Sequence, residues 1–217
     1  MKSNPRTRWL FVLPLLCLMA ACAPKKPVQV EAPEAPGAQI LTRAGEELAS
    51  GRKEQALDLY DRYIERYPDG KLLAEALLNA GKLRGELGRD QAAERDYLRL
   101  LQEFPQSPQA TEALLRLAEI FYHRDQYGQV LRFASEAIRR PISGDQLFRI
   151  YTLLGDTHLS MDAAKDAVYF FALAAQHAGP ARSDRIRSRM KQAVRQLDRP
   201  AIAELLQRLE DPLTEGY

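Results

Sequence analysis

The segment LLNAGKLRGELGRDQAAERDYLRLLQEFP, residues 77–105, contains the pattern that decides the fold. Its small residues Gly81 and Ala93 lie on two successive apolar stretches, and Tyr97 follows Ala93 by about one helical turn. A small residue on one helix lets a neighbouring helix approach closely, while a large residue in the next turn fills the remaining gap. Pro105 then ends the second helix. The segment therefore predicts an antiparallel pair of helices.

The same pattern returns every 37 residues, in two independent series of small residues. One series consists of Ala44, Gly81, Ala118 and Gly155, and the other consists of Ala56, Ala93, Val130 and Ala167. Large residues recur at the same interval. Four residues before the first series are Ile40, Leu77, Leu114 and Tyr151, and four residues after the second are Tyr60, Tyr97 and Phe171, with Ala134 as the one small residue in this set. Gly51 and Gly88 lie between the two series, where a reversing chain favours a positive φ. A fixed interval of this length is typical of stacked helical repeats. A generic helical bundle is the alternative, and the shared spacing disfavours it.

At these residues the sequence resembles the tetratricopeptide repeat, which has a small residue on its first helix, then alanine, an aromatic residue and proline. The clearest copy is Leu77-x2-Ala80-Gly81 followed by Ala93-x3-Tyr97 and Pro105. The third repeat departs from the pattern with Val130 and Ala134. The resemblance implies an all-α fold: a tetratricopeptide-like α-solenoid of about four helical hairpins over residues 39–180, followed by C-terminal capping helices.

Residues 181–217 predict these capping helices, because an end repeat must present a closed outer face. An apolar helical stripe consists of Ile186, Met190, Ala193, Val194 and Leu197. The same segment is strongly basic, with Arg182, Arg185, Arg187, Arg189, Lys191, Arg195 and Arg199. We expect the stripe to pack on the fourth repeat and to leave the cations solvated. Contact with lipid phosphates, an anionic glycan or an acidic partner is the alternative.

Residues 1–21 predict a lipoprotein signal peptide, in which three cations precede an apolar run that is too short to span a bilayer. The run ends in Leu18-Met19-Ala20-Ala21-Cys22, which resembles the bacterial lipobox. The resemblance implies cleavage before Cys22 and its acylation with chains such as palmitate. Ala23 stands where aspartate favours inner-membrane retention, so the resemblance implies an outer-membrane anchor facing the periplasm. An ordinary secretory signal with a cysteine near its cut is the alternative.

Residues 22–38 follow as the lipidated cysteine and a flexible, proline-rich tether. The whole chain has a net charge of +2, and the signal peptide carries three cations and no acid, so the mature chain is near −1. This balance offers no electrostatic basis for binding nucleic acid. His123, His158 and His177 have no second ligand at a helical metal spacing, and no nucleophile or phosphate loop is recognisable. We expect no enzyme activity, metal, cofactor or small-molecule substrate.

Function in such an array resides in the face lined by the first helix of each repeat. The resemblance implies a partner-binding groove at the positions that the family uses. These are Glu75, Leu78, Lys82 and Glu86 in repeat two, Glu112, Leu115, Glu119, Tyr122 and His123 in repeat three, and Arg149, Thr152, Asp156 and Leu159 in repeat four. Mixed charges with a few apolar anchors suit an extended peptide or a partner helix.

Lipobox, tether and helical array together resemble two families of outer-membrane lipoprotein. One is the BamD-type subunit of the β-barrel assembly machinery, through Tyr67-Pro68-Asp69-Gly70 and Phe104-Pro105-Gln106-Ser107-Pro108. The other is the LpoA-type activator of penicillin-binding peptidoglycan synthases, through Arg140-Pro141, Leu154-Gly155-Asp156 and Ala201-x2-Glu204-Leu205-Leu206. That second family continues into a periplasmic-binding-protein-like domain after the point matching Tyr217, so the chain is either a truncated form or similar in the repeats alone. We predict a scaffold lipoprotein of cell-envelope biogenesis that binds protein partners, BamD-like first and LpoA-like second; an envelope enzyme is the less favoured alternative.

Overall fold

The computed structural model describes residues 36–210, and within this range every regular element is an α-helix. The helices are α1 (Pro36–Ala49), α2 (Lys53–Arg66), α3 (Leu73–Glu86), α4 (Asp90–Glu103), α5 (Pro108–His123), α6 (Tyr127–Ile138), α7 (Gly144–Ser160), α8 (Ala164–Gln176), α9 (Pro180–Val194) and α10 (Arg199–Glu210). The predicted signal peptide, the lipidation at Cys22 and the tether up to residue 35 lie outside the described residues, as do residues 211–217. The tether was predicted to reach residue 38, but α1 begins at Pro36, because proline suits the first turn of a helix.

One turn conformation joins the two helices in each of the four hairpins. Its left-handed residue is Gly51, Gly88, Asp125 or Asp162, with φ of 77°, 73°, 55° and 59°. In each turn this residue's amide donates to the carbonyl three residues earlier, and the next amide donates to the carbonyl five residues before itself, which is the Schellman motif. The positive φ predicted at the two glycines is confirmed. Aspartate, which tolerates this conformation better than most residues, takes it in the last two hairpins.

Small residues hold the paired helices close together, as the repeat pattern predicts. The alanines and the valine of both series are fully buried: Ala44, Ala56, Ala93, Ala118, Val130 and Ala167. Gly155 of α7 faces the ring of Phe171 on α8, and a Cβ built on this glycine would lie 2.5 Å from Cε1 of the ring. The fourth hairpin therefore tolerates no side chain at this position.

The hairpins stack so that their first helices form one continuous face. Helix α3 contacts α5 and α5 contacts α7, while α2, α4, α6 and α8 each contact the first helix that follows in the chain. The main hydrophobic core runs between these layers from Leu41 to Phe170, and a second cluster lies between α7, α8, α9 and α10. We call the surface of α3, α5 and α7, with the adjoining flank of α9, the inner face.

The two C-terminal helices both pack on the fourth hairpin. Ile186 and Ala193 of α9 are fully buried, and α10 contacts α8 with Leu205 buried in the second core cluster. Val194 was predicted to belong to the buried stripe, but 37% of it is exposed, because one residue beyond Ala193 the helix has turned by about 100°. Among residues 36–210, none of the helices combines the length and the apolar character needed to cross a bilayer.

Candidate partner-binding groove

Two adjoining clefts on the inner face contain most of the predicted groove residues. The first cleft lies between α3 and α5, has a volume of 270 Å³, and is lined by Lys82, Gly85, Glu86, Tyr97, Arg116, Glu119, Ile120 and His123. The second lies between α5, α7 and α9, has a volume of 290 Å³, and is lined by Glu119, Phe148, Arg149, Thr152, Leu153, Asp156, Arg182 and Arg185. Glu119 lines both clefts, so they meet at this side chain and form one groove.

An ion-pair network at the meeting point fastens α7 to α5. Nη1 of Arg149 donates to both carboxylate oxygens of Glu112, at 2.9 and 3.1 Å, and Nη2 donates to Oε1 of Glu119 at 2.7 Å. Nε2 of Gln146 donates to Glu112 Oε2 at 3.1 Å, and Nε of Arg116 donates to Oε1 at 2.9 Å. Glu112 and Arg149 lie 37 residues apart, so the same helical position in consecutive repeats supplies the two partners. The network therefore crosses a repeat interface.

Burial and neighbouring charges lower the pKa of two groups on the inner face, which stabilises the charged form of one and destabilises that of the other. Burial opposes ionisation of Glu112, but the hydrogen bonds and charge of Arg149 outweigh it, and the pKa of Glu112 lies below its usual range. Burial lowers the pKa of Lys82 at the first cleft, where Arg116 also repels its charge and Glu112 attracts it. The inner face therefore holds both a stabilised anion and a partly desolvated cation.

Asp156 in the second cleft is a carboxylate with poor solvation. Its side chain is 13% exposed, and Nε of Arg189 lies 3.4 Å from its Oδ1. That oxygen accepts no hydrogen bond from any described residue. Burial raises the pKa of Asp156, and the charges of Arg189 and Arg185 offset only part of this effect.

We expected the basic residues of α9 to be solvated, but two of them contact α7 instead. The guanidinium carbon of Arg182 lies 4.4 Å from the centroid of the Phe148 ring, and its Nη1 is 2.7 Å from Asp145 Oδ1. Arg189 lies beside Asp156. The expectation is wrong for these two arginines, because burial of Ile186 on the adjoining flank turns them towards α7. It holds better for Arg187, whose side chain is 63% exposed.

Two of the predicted groove residues lie in the core. Leu115 is fully buried and Leu78 is 8% exposed, because the first helices of successive hairpins contact one another and cover this flank. Their assignment to the groove is wrong. Four further predicted residues lie outside the two clefts. Glu112 is bonded to Arg149, Glu75 is exposed in the first turn of α3, Tyr122 is half-buried against the main core, and Leu159 is half-buried against the C-terminal cluster. Partner binding by the remaining predicted residues stays a prediction.

Eight residues that line the clefts were absent from the predicted groove: Gly85, Tyr97, Arg116, Ile120, Phe148, Leu153, Arg182 and Arg185. Arg116 lies one helical turn after Glu112 on the same face, so helical spacing alone would have found it. The arginines of α9 lie beyond the four repeats, and only the packing of α9 beside α7 brings them to the cleft.

The three histidines have separate places in the fold. His123 lines the first cleft, the ring of His158 stacks on that of Phe170 at 5.1 Å between centroids, and His177 stacks on Tyr151 at 6.0 Å. In the part of the chain that the structure describes, no three His, Cys, Asp or Glu side chains are grouped so that they could hold a metal ion.

Comparison with known proteins identifies the repeat in the first half of the array. The tetratricopeptide repeat family matches residues 39–70 and 75–107, which contain the hairpins α1–α2 and α3–α4. A search of curated proteins finds no match for the chain.

Solved structures of low sequence identity share the fold. A MamA double mutant (RS-1) has a TM-score of 0.62 at 18% identity and covers 82% of this chain and 97% of its own. BtubC from P. vanneervenii has a TM-score of 0.62 at 16% identity, with 83% and 84% covered. MamA (41-end) from Desulfovibrio magneticus RS-1 has a TM-score of 0.58 at 16% identity, with 82% and 97% covered. The predicted all-α, tetratricopeptide-like solenoid is confirmed. A fold of this kind is typically a scaffold for protein partners rather than an enzyme.

Proposed function

We propose that the chain is an outer-membrane lipoprotein whose inner face holds a protein partner during assembly of the cell envelope, in the manner of BamD-type subunits. The observation that carries this proposal is the network of Arg149 with Glu112 and Glu119, which joins α5 to α7 where the two clefts meet. A groove that is already formed loses less entropy when its partner binds than one that the partner must order.

The side chains at the rim of the groove define the chemistry of the partner. Glu86 and His123 are exposed at the first cleft, and Arg185 is exposed at the second. Ile120 and Leu153 also line the clefts, but each belongs to the core and is only 9% exposed, so the charged rim makes up most of the surface that a partner would meet. An extended peptide or a partner helix that carries charges of both signs matches this rim.

The predicted anchor at Cys22 explains why a groove of modest affinity would suffice to hold the partner. Two or three acyl chains, at about 0.8 kcal/mol for each buried methylene, hold a protein stably on a membrane. A tethered groove meets a membrane partner at a high effective concentration, so the contact itself need not be tight. A BamD-like role in β-barrel assembly and an LpoA-like activation of a glycan synthase would both use this arrangement.

Photo-crosslinking in cells tests the groove and separates these two roles. The photoreactive residue p-benzoylphenylalanine replaces His123 in the first cleft, and a matched control replaces Arg187 on the exposed side of α9. Capture of barrel-assembly subunits from position 123 but not from position 187 supports the proposal. Capture of a bifunctional glycan synthase would assign the LpoA-like role instead, and equal capture from both positions would contradict a role for the groove.

Metabolic labelling tests the anchor independently of the groove. Full-length chain should incorporate labelled palmitate and fractionate with the outer membrane, and Cys22→Ser should do neither. Label that persists in Cys22→Ser, or wild-type chain that stays in the soluble fraction, would contradict the predicted lipidation.

A further inference from the structure

A further cleft lies away from the groove, between the helices of the last two hairpins. It has a volume of 400 Å³ and lies between α6, α7 and α8. Leu131, Ile138, Tyr151, Tyr169 and Leu173 contribute half-buried apolar or aromatic surface to it. We call this cleft the outer seam. Its volume falls within the range of about 300–1,000 Å³ that is usual for ligand pockets.

The repeat allows the outer seam to be compared with the seam one hairpin earlier, because equivalent residues lie 37 positions apart. Leu131, Tyr169 and Leu173 at the outer seam correspond to Glu94, Arg132 and Glu136 at the preceding one. Three apolar or aromatic residues therefore stand where the preceding repeat uses charged ones.

The preceding seams are covered by the chain's own contacts. The rings of Phe121 and Phe133 stack at 5.4 Å between centroids, and the guanidinium of Arg132 lies 4.3 Å from the Phe133 ring. Nη1 of Arg124 lies 2.6 Å from Glu94 Oε2 above them. At the seam before that, Arg84 joins Asp61 of α2 to Asp96 of α4. Charged pairs thus cover the first two seams, whereas the third presents half-buried apolar and aromatic side chains inside a cleft, which is the usual lining of a ligand pocket.

The charge at the outer seam indicates what kind of side chains would fit. Among the described residues that line it, Asp166 is the carboxylate and His158 the titratable base, and no lysine or arginine is present. A cationic group beside an apolar one is therefore favoured over an anionic one. The volume accommodates large side chains of a partner segment and excludes a folded domain.

We infer that the outer seam is a second docking site, which takes a peptide segment of a partner protein that presents a large apolar side chain beside a lysine or arginine. The apolar side chain lies among Tyr151, Tyr169 and Leu173, and the cation lies towards Asp166. This site is on the side of the second helices, so it works independently of the inner groove and does not require the proposed function to be correct.

Differential selection from a display library of random peptides tests the inference. The peptides are about 12 residues long, because a chain of this length spans the seam in extended form. The targets are the full-length chain and its variant Leu131→Glu, Tyr169→Arg, Leu173→Glu. This variant carries at the outer seam the residues that the chain itself uses at the preceding seam, so each one is compatible with its place in the repeat. Circular dichroism and thermal unfolding check that it folds, and Leu173→Glu alone serves if it does not.

Peptides retained by the wild type and not by the variant should combine an aromatic or long aliphatic residue with a nearby lysine or arginine. A synthetic peptide of this kind should bind at least about tenfold more weakly to Leu173→Glu, and Asp166→Asn should also weaken it. Two controls should leave its Kd unchanged: Leu98→Glu, which alters a leucine 40% exposed on α4, and Arg185→Glu in the inner groove.

Three outcomes would overturn the inference. One is a selection in which no peptide distinguishes the wild type from the seam variant. Another is enrichment of aspartate or glutamate in the peptides that do. The third is a chain that is dimeric in solution and becomes monomeric in the seam variant, because a second copy would then be the occupant.

Discussion

The ring of Tyr97 fills the space beside Gly81 in the second hairpin: a Cβ built on Gly81 would lie 2.5 Å from Cε1 of the ring. In the third hairpin the equivalent positions hold Ala118 and Ala134, and both are fully buried. In that hairpin a larger residue on the first helix is accompanied by a smaller one on the second, whereas the first hairpin combines Ala44 with Tyr60. The close fit of a ring against a glycine is found for Gly81 with Tyr97 and for Gly155 with Phe171.

Adding a methyl group at Gly81 is expected to destabilise the second hairpin. Overpacking of this kind typically costs about 1–3 kcal/mol, so Gly81→Ala should lower the free energy of unfolding by that amount. Urea unfolding of the full-length chain, followed by circular dichroism, measures the change.

A double-mutant cycle with Tyr97 provides the control for this prediction. Tyr97→Ala alone should cost about 3–5 kcal/mol through the cavity that it leaves. In that background Gly81→Ala meets no ring and should cost nothing, or stabilise by up to about 1 kcal/mol through helix propensity. Additive effects of the two substitutions would show that the ring and the glycine are not coupled.

Two neighbouring glycines are expected to respond to alanine with opposite signs. Gly88 has φ of 73°, so Gly88→Ala should lower the free energy of unfolding by about 1–2 kcal/mol. Gly85 lies inside α3 and is exposed, and a Cβ added to it would meet nothing within 4 Å, so Gly85→Ala should raise it by about 0.5–1 kcal/mol. Thermal or urea unfolding of both variants gives the answer. A Gly88→Ala variant that is as stable as the wild type, or more stable, would mean that the left-handed turn after α3 is not formed in solution.

The repeat interval made the fold readable from the sequence, because each small residue and each turn recurs at a position that can be counted. The left-handed turns at Asp125 and Asp162 were not predicted, because glycine is absent there, although each of these residues lies 37 positions after the preceding turn residue. The groove was less predictable. Whether Leu115 faces a partner or a neighbouring helix depends on how closely successive hairpins stack, and the interval does not report that distance. The contribution of Arg182 likewise depends on how α9 packs beyond the last repeat.

Removing the charge of Glu112 is expected to destabilise the chain at neutral pH and not in acid. Its side chain is 13% exposed and bonded to Arg149, so Glu112→Gln should cost about 1–2 kcal/mol at pH 7. The folded pKa of Glu112 lies below its unfolded value, so its contribution is complete above the unfolded pKa and is lost as the pH falls through the folded one. Urea unfolding as a function of pH measures the difference between variant and wild type.

The control for Glu112 is Glu136→Gln, which weakens an ion pair between Glu136 and Arg140 within one helix. The Glu136 side chain is 43% exposed, so this change should cost less than about 0.5 kcal/mol at any pH. An equal effect of the two substitutions would show that the network between α5 and α7 adds nothing beyond ordinary surface charge.

Removing the charge of Asp156 is expected to have the opposite sign. Because burial raises its folded pKa above the unfolded value, the folded chain binds the proton more tightly, and stability is lost as the pH rises between the two values. Asp156→Asn removes this loss and should raise the free energy of unfolding by about 0.5–1 kcal/mol at pH 7, with no difference below the unfolded pKa. The same pH series tests both carboxylates. If Asp156→Asn instead destabilises the chain at neutral pH, the 3.4 Å contact with Arg189 must be a stabilising ion pair that outweighs the burial of the carboxylate.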